Sequence, residues 1–375
     1  MARFPVSAAV LAIAVLAPSI GAAADLRLPV LAPVTGFLAL EGTSQRNGAV
    51  LALEEAGRSA GLAWEVSDTA TAPETAVNAF ERAAGQSGVV AAVAPMLGTQ
   101  MLALVPLADR AGVPLITISG TAKITEMGSP NVFRFFPGDA VVKRAHARFA
   151  VEEKKIRKPA VIYQTTAYGQ GGRAVLAAEL ARLGAAPVFE DGIDVAVKDM
   201  LPVLAKAREA GADGILLHLH AGSTALVLRQ ARAMGLTVPI IAGSALHQPQ
   251  TAALLEPMEL AGACAETGSS PISGGSPAIE DFAKRYRERF GVEPDAFALA
   301  QYDGVQMAIA AVKGGARTAE AMRMALATAS HRGLAMTYRS DGKGNMAHDA
   351  VIVCYDGKSR TPRIVKRYEN VDGTP

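Results

Sequence analysis

Cysteine is scarce in this chain: Cys264 and Cys354 are the two it has among 375 residues. Their separation fits neither a zinc site nor a C-x-x-C redox pair, and two cysteines cannot build a disulfide-dense scaffold. Each sits in an apolar run. That favours two buried strand cysteines over a disulfide and leaves their pairing open. An excess of one charge is missing as well. Lys and Arg number 37 against 35 Asp and Glu, a net charge of +2, with no basic stripe or block. No nucleic-acid partner is expected from such a surface. Beyond the first residues, no apolar run is long enough to cross a bilayer. Catalytic signatures are also absent: there is no G-x-S-x-G elbow, no Walker loop, no G-x-G-x-x-G and no H-E-x-x-H. No catalytic residue, cofactor or metal is therefore expected.

What is present begins with an export pattern. Arg3 is the one charged residue before Asp25, an apolar run covers 6–20, and Gly21-Ala22-Ala23-Ala24 offers small residues for cleavage. This predicts a signal peptide over 1–24, cleaved near Ala24, and a periplasmic protein. The full chain is 50% hydrophobic and 19% charged, a globular composition, and what remains after cleavage is too long for one core.

Short apolar runs alternate with helical patterns. Strands are predicted at 28–31, 64–66, 89–94 and 114–118, with helices at 47–56, 73–84 and 100–111 between them. The rhythm restarts with strands at 160–163, 187–190, 214–219 and 239–242 and helices at 171–183, 201–209 and 223–234. Further helices are expected at 278–290, 303–313 and 319–327, then strands at 335–338 and 350–355. Two βα series imply two parallel sheets, each covered on both faces. The chain is expected to cross between them near 133–139 and again in the Gly-, Ser- and Pro-rich stretch 267–277, making a hinge and a cleft.

In parallel sheets, ligands bind beyond the carboxyl ends of the strands. The first series places Gly98-Thr99, Ser119-Gly120 and Thr121 there, where free helix-start N–H groups and hydroxyls suit a carboxylate. Ordinary capping by Thr99 and Thr121 is the plainer alternative. The second series offers Tyr168, His218, His220, Ser244 and His247. Alternation puts His218 and His220 on one face. The reading favoured over a metal pair is that one lines the cleft and the other is hydrogen-bonded in the core.

The ordered set Ala32-Pro33-Val34-Thr35-Gly36, Glu41-Gly42, Gln45-Arg46-Asn47-Gly48-Ala49, Val93-Ala94-Pro95, Asn131-Val132-Phe133-Arg134, Tyr168-Gly169 and Gln301-Tyr302-Asp303 resembles leucine/isoleucine/valine-binding proteins. These are type I periplasmic binding proteins of branched-chain amino-acid ABC importers. The resemblance spans nearly all the chain after residue 24. It implies an α/β fold of two Rossmann-like lobes with parallel sheets joined by a three-crossover hinge. The first lobe would comprise 25–138 plus 270–334 and the second 139–269 plus 335–375. It implies a monomer, a small-molecule ligand and an inner-membrane permease as partner. The ligand-binding positions it implies are Glu41, Gly98, Thr99, Ser119, Gly120, Thr121, Tyr168, His220 and Ser244.

Three departures from the family pattern bear on the ligand. Gly98 stands at the usual serine, with Thr99 beside it. No acid stands at Ser244 or Ala245, where one would pair with an amino-acid ammonium. Glu41 occupies a position that is often aromatic or polar. Either Glu41 takes over the pairing, or the ligand is another small solute: a carboxylate, an amide-like molecule or a less polar organic compound. A ligand-sensing module of the same fold and, less favoured, an exported hydrolase are the other readings.

Overall fold

The computed structural model describes residues 26–373, so the expected signal peptide lies outside the described residues. Five parallel strands form the first sheet, in the order Val66–Asp68, Val30–Ala32, Ala92–Val93, Leu115–Thr117 and Val132–Arg134. Seven form the second, in the order Arg363–Tyr368, Ala350–Cys354, Cys264–Thr267, Ile240–Ala242, Gly214–His218, Pro159–Gln164 and Phe189–Ile193. Ala350–Cys354 pairs antiparallel with both its neighbours, and every other pairing in this sheet is parallel.

Why these runs form sheets is visible in the core. In the first sheet Val30, Val93, Ile116 and Phe133 join one apolar cluster, while their neighbours Leu31, Ala92, Leu115 and Val132 join another. The second sheet divides in the same way: Ile215, Leu217 and Ile240 face one cluster, Leu216 and Ile241 the other. Both faces of each sheet are thus covered, as continuous apolar strands require.

The chain passes between the sheets where packing changes from one core to the other. Phe136 belongs to the first core and Val141 to the second. After Cys264–Thr267 the chain returns, and Phe282 and Leu299, in helices Pro277–Phe290 and Ala296–Lys313, pack on the first. The last crossing corrects the expected break after Leu334. The hairpin Ser330–Arg332/Thr337–Arg339 stays on the first core, with Tyr338 fully buried against Phe135 at 5.3 Å between ring centroids. The Tyr338 hydroxyl donates to Asp303 at 3.1 Å. Met346 and Ala347 belong to this core too, and the second core resumes at Ala350.

Helix starts differ from expectation in an instructive way. The helix expected at 47–56 begins instead at Ala39, running Ala39–Ala52 and on through Leu53–Gly57. Its glycines are contacts rather than breaks: a Cβ on Gly48 would lie 2.1 Å from the Ala298 carbonyl oxygen, so glycine lets this helix meet Ala296–Lys313. Glu41 consequently sits in a helical first turn.

Cys264 and Cys354 face each other in an antiparallel pair with 4.0 Å between Cα atoms, and they are disulfide-bonded. Both are strand cysteines as expected, and the pairing left open is a disulfide, against the favoured reading. Strand register brings together residues 90 apart in sequence, which no spacing rule reveals.

Candidate functional site

A cleft with about 510 Å³ of atom-free space opens between the carboxyl ends of the two sheets. From the first sheet come Glu41, Met96, Leu97, Gly98, Ile118 and Gly120; from the second come Tyr168, Leu219, His220, Ser244 and Ala245. Phe136, Pro137, Asp139 and Val142 line it from the first crossing, and Phe297 from helix Ala296–Lys313. The walls are mostly apolar, with a few convergent polar groups, the usual constitution of a small-molecule site.

Of the expected site residues, Glu41, Gly98, Gly120, Tyr168, His220 and Ser244 lie on this lining, whereas Thr99, Ser119 and Thr121 do not. Thr121 sits immediately beneath Gly98: a Cβ on Gly98 would be 2.0 Å from Thr121 Oγ1. The Thr121 hydroxyl therefore occupies the space that a side chain at 98 would need, and glycine is required there. Ser119 and Thr121 are buried and their hydroxyl oxygens have no hydrogen-bond partner. Helix Gly98–Ala111 starts without a side-chain cap, so its first N–H groups have no partner within the helix. Thr99 is half-buried one position further into that helix.

Arg134 fixes this corner from below. Its guanidinium donates to the carbonyl oxygens of Ser119, Gly120 and Thr121 at 3.3, 3.3 and 2.8 Å, and to Thr125 Oγ1 at 2.9 Å. It also bonds Asn345. These bonds hold the 119–121 loop in place and leave Arg134 engaged on all sides.

Glu41 reaches across the cleft. Its Oε1 accepts from the Ala221 N–H at 2.9 Å. Ala221 opens helix Ala221–Ala233, whose own cap residue, His220, makes no side-chain cap bond. A carboxylate from the first half thus caps a helix of the second, a favourable placement against the helix dipole. Phe37 joins the same contact, with its ring centroid 5.4 Å from that of His220. A further bond between the halves runs from Gln248 Nε2 to Asp295 Oδ2, 2.6 Å. Glu41 Oε2 has no partner, and burial pushes the Glu41 pKa up to about 7.

Asp139 is the polar residue that sequence reasoning missed. It begins helix Asp139–Arg148 and is fully buried. Neither carboxylate oxygen makes a well-formed hydrogen bond; the Ala122 N–H acts on it and His218 Nε2 stands 3.5 Å from Oδ1. Burial raises its pKa to about 7, against the opposing pull of Lys143 and Arg134. Its signal in the sequence was its place at the first crossing, directly after Phe136-Pro137-Gly138. Behind it, Lys143 pairs with Glu266 Oε1 at 2.6 Å, and His146 lies 2.7 Å from Glu266 Oε2.

The opposite wall is neutral and aromatic. Tyr168 lies in the first turn of helix Ala167–Arg182, its ring 3.9 Å from His218 and 5.3 Å from His220 between centroids. The glycines that follow let this helix lie on the sheet: a Cβ on Gly172 would be 1.9 Å from His218 Nε2. His220 contacts the Thr166 hydroxyl at 3.2 Å and lines the cleft; His218 is fully buried and bonds the Tyr168 carbonyl oxygen at 3.1 Å. Burial holds the His220 pKa down at about 4 and that of His218 well below its usual value, so both are neutral at pH 7. His247 lies apart from the cleft lining, fully buried and bonded to Ser270 Oγ at 2.7 Å. Among the described residues no three His, Cys, Asp or Glu side chains converge to hold a metal ion.

Two parallel-sheet halves, linked by three chain crossings and enclosing a small, largely apolar cleft, define a solute-binding protein. The chain belongs to the periplasmic binding protein family, whose profile matches residues 25–360. It is 28% identical over 305 residues to an amino acid binding protein of Pseudomonas aeruginosa, covering 78% of this chain and 79% of that one. It is 26% identical over 299 residues to Leu/Ile/Val-binding protein homolog 1 of Brucella suis, covering 77% and 78%. Among solved structures, the leucine-binding protein LivK of Thermotoga maritima superimposes with a TM-score of 0.84 at 23% identity, covering 92% of this chain and 99% of that one. A Rhodopseudomonas palustris solute-binding protein in complex with benzoate gives 0.83 at 18% identity, covering 92% and 97%. The two solved structures share the fold of this chain; one is of a protein named for leucine binding and the other holds benzoate.

Proposed function

We propose that this protein is the extracytoplasmic receptor of an ABC importer, capturing a small solute between its halves and delivering it to a membrane permease without chemically changing it. The observation that carries this reading is the Glu41 contact with the Ala221 N–H. It joins the two halves directly over a cleft in which Glu41 Oε2 and both Asp139 oxygens lack hydrogen-bond partners, so a ligand and the closed form stabilise each other. The export pattern expected over 1–24 and the solute-binding proteins among its relatives support it. In this reading the two packing units rock about the three crossings. The solute's polar end rests near the Gly98 helix start, and Tyr168 and His220 cover it from the other side.

Thermal shift of the purified, ligand-stripped protein tests the function. A solute that binds only the folded state raises Tm. Amino acids, small amines, amides, aliphatic acids and aromatic acids make the panel. A shift that saturates with one class, with affinity lowered by Tyr168→Ala, supports the receptor reading. Turnover of any of these compounds would instead sink the claim that the protein acts by binding alone.

A further inference from the structure

A second cavity, with about 850 Å³ of atom-free space, lies on the outer side of His220. His220 lines both this groove and the inner cleft, whereas Phe37 lines the outer groove alone. The two rings thus stand at the partition between the cavities, with centroids 5.4 Å apart. The groove's other walls, among them Val197, Leu226 and Leu254, belong to the second half, so Phe37 is the first half's one contribution. Among the described residues, the Phe37–His220 pair is also the one ring–ring contact made between the halves.

The turn that carries Phe37 is fixed from two sides. Gly36 has φ +87°, and a Cβ there would lie 2.2 Å from Thr71 Oγ1. The Asp68 carboxylate accepts from the Val34 and Thr35 N–H groups at 3.0 and 3.3 Å, from the Thr35 hydroxyl at 2.6 Å and from the Ala70 N–H at 2.8 Å. Ala70 and Thr71 themselves take left-handed backbone, φ +46° and +55°, which a residue with a Cβ adopts at a cost. What this strained support holds out is a ring that is 39% exposed and joins none of the apolar cores. Four residues on, Glu41 accepts from the Ala221 N–H on the cleft side. Phe37 and Glu41 therefore grip two consecutive residues of the other half, His220 from outside and Ala221 from inside.

We propose that Phe37 and Glu41 form a two-point latch across the mouth of the cleft, with Phe37 as a positioning residue that sets how long a solute is retained and not which solute is chosen. This rests on the receptor reading above and deepens it. Both contacts are made between protein groups, so the latch biases the ligand-free protein towards closure as well.

Spin labels at Glu74→Cys and Lys206→Cys, exposed helix positions on the two halves, test it by double electron–electron resonance on the ligand-stripped protein. The native cysteines are disulfide-bonded and do not compete for label. A closed and an open distance are expected together. Phe37→Ala should lower the closed-to-open ratio about fivefold, the scale of one aromatic pair, and Glu41→Ala about tenfold, the scale of a hydrogen bond to a charged group. Phe37→Tyr should restore the ratio. Release of L-leucine or benzoate, whichever binds, should quicken about fivefold in Phe37→Ala by stopped flow, with the order of preference among solutes unchanged. An open distance alone in the otherwise unaltered protein overturns the proposal, as does a ratio indifferent to Phe37→Ala. A changed order of preference would make Phe37 a ligand-selecting residue and overturn it too. If no compound of the thermal-shift panel binds, the receptor reading falls, and the distance ratios still decide the latch.

Discussion

The two walls of the cleft are built from the same kind of element, the loop after a parallel strand, yet they differ in charge. On the side of the first sheet and the first crossing stand Glu41 and Asp139, buried acids whose pKa values burial drives to about 7. On the other stand Tyr168, His218 and His220, all held neutral by the same burial. Burial thus acts oppositely on acids and bases but always towards the uncharged form. The difference between the walls is that the acids remain within reach of ionisation near pH 7 and the imidazoles do not. One wall can answer a charged ligand; the other supplies surface and shape.

The contrast is broken most severely by neutralising the charged wall. The double substitution Glu41→Gln/Asp139→Asn should change the affinity for the solute identified by thermal shift by more than about tenfold, since it removes both carboxyl groups of the cleft lining; titration calorimetry reads it. Tyr168→Leu, on the neutral wall, should cost about tenfold through lost packing, a typical penalty for an aromatic anchor.

Acidity separates the walls further. A carboxyl whose pKa in the folded protein is raised to about 7, well above its ordinary value, binds more protons folded than unfolded between the two. The ligand-free protein should therefore lose stability as pH rises from about 4.5 to 7 and level off above. The charged neighbours of Asp139 are Lys143, Arg134 and Glu266, and that of Glu41 is Asp295, and both substitutions of the charged wall should flatten the curve. His220→Gln should leave the shape of the profile unchanged, since His220, with a pKa of about 4, is already neutral above pH 5.

A smaller effect tests the corner itself. Gly98→Ala should destabilise the protein by about 1–3 kcal/mol by overpacking Thr121, and the further change Thr121→Gly should relieve most of it. Chemical denaturation of the single and double variants measures the coupling.

Much of this architecture was legible because buried parallel strands announce themselves as unbroken apolar runs. The run at 214–219 corresponds to the strand Gly214–His218, and the helices at 73–84 and 201–209 appear with the expected bounds, Pro73–Ala84 and Leu201–Glu209. Pro73 and Pro202, near helix starts, and the polar turns beyond mark those ends locally. Both helices expected to start at Asn47 and Gly171 begin earlier, at Ala39 and Ala167, and glycines in their added turns serve close packing: a Cβ on Gly42 or Gly169 would lie 1.9 Å from a backbone carbonyl oxygen, of Pro33 or Gln164. The hairpin around Tyr338 was misplaced because its partners, Phe135 and Asp303, are distant in sequence. Asp139 escaped for a related reason. Nothing local tells a buried acid from the solvated ones that are the rule, whereas Glu41 stood out against a family pattern.

The disulfide has a mechanical consequence. Strands Cys264–Thr267 and Ala350–Cys354 lead to two of the three crossings, and they pair antiparallel from Cys264 opposite Cys354 to Thr267 opposite Val351. Riveted at the far end, the two threads leave the second sheet as one flat ribbon instead of two independent cords. A ribbon folds readily across its broad face and resists shear along its length. Opening is thereby channelled into a single swing, and a sideways slide that would misalign Glu41 with the helix it caps is suppressed. Cutting the rivet with Cys264→Ala/Cys354→Ala should cost about 2–4 kcal/mol of stability, and should loosen the direction of motion more than it changes the grip on the solute.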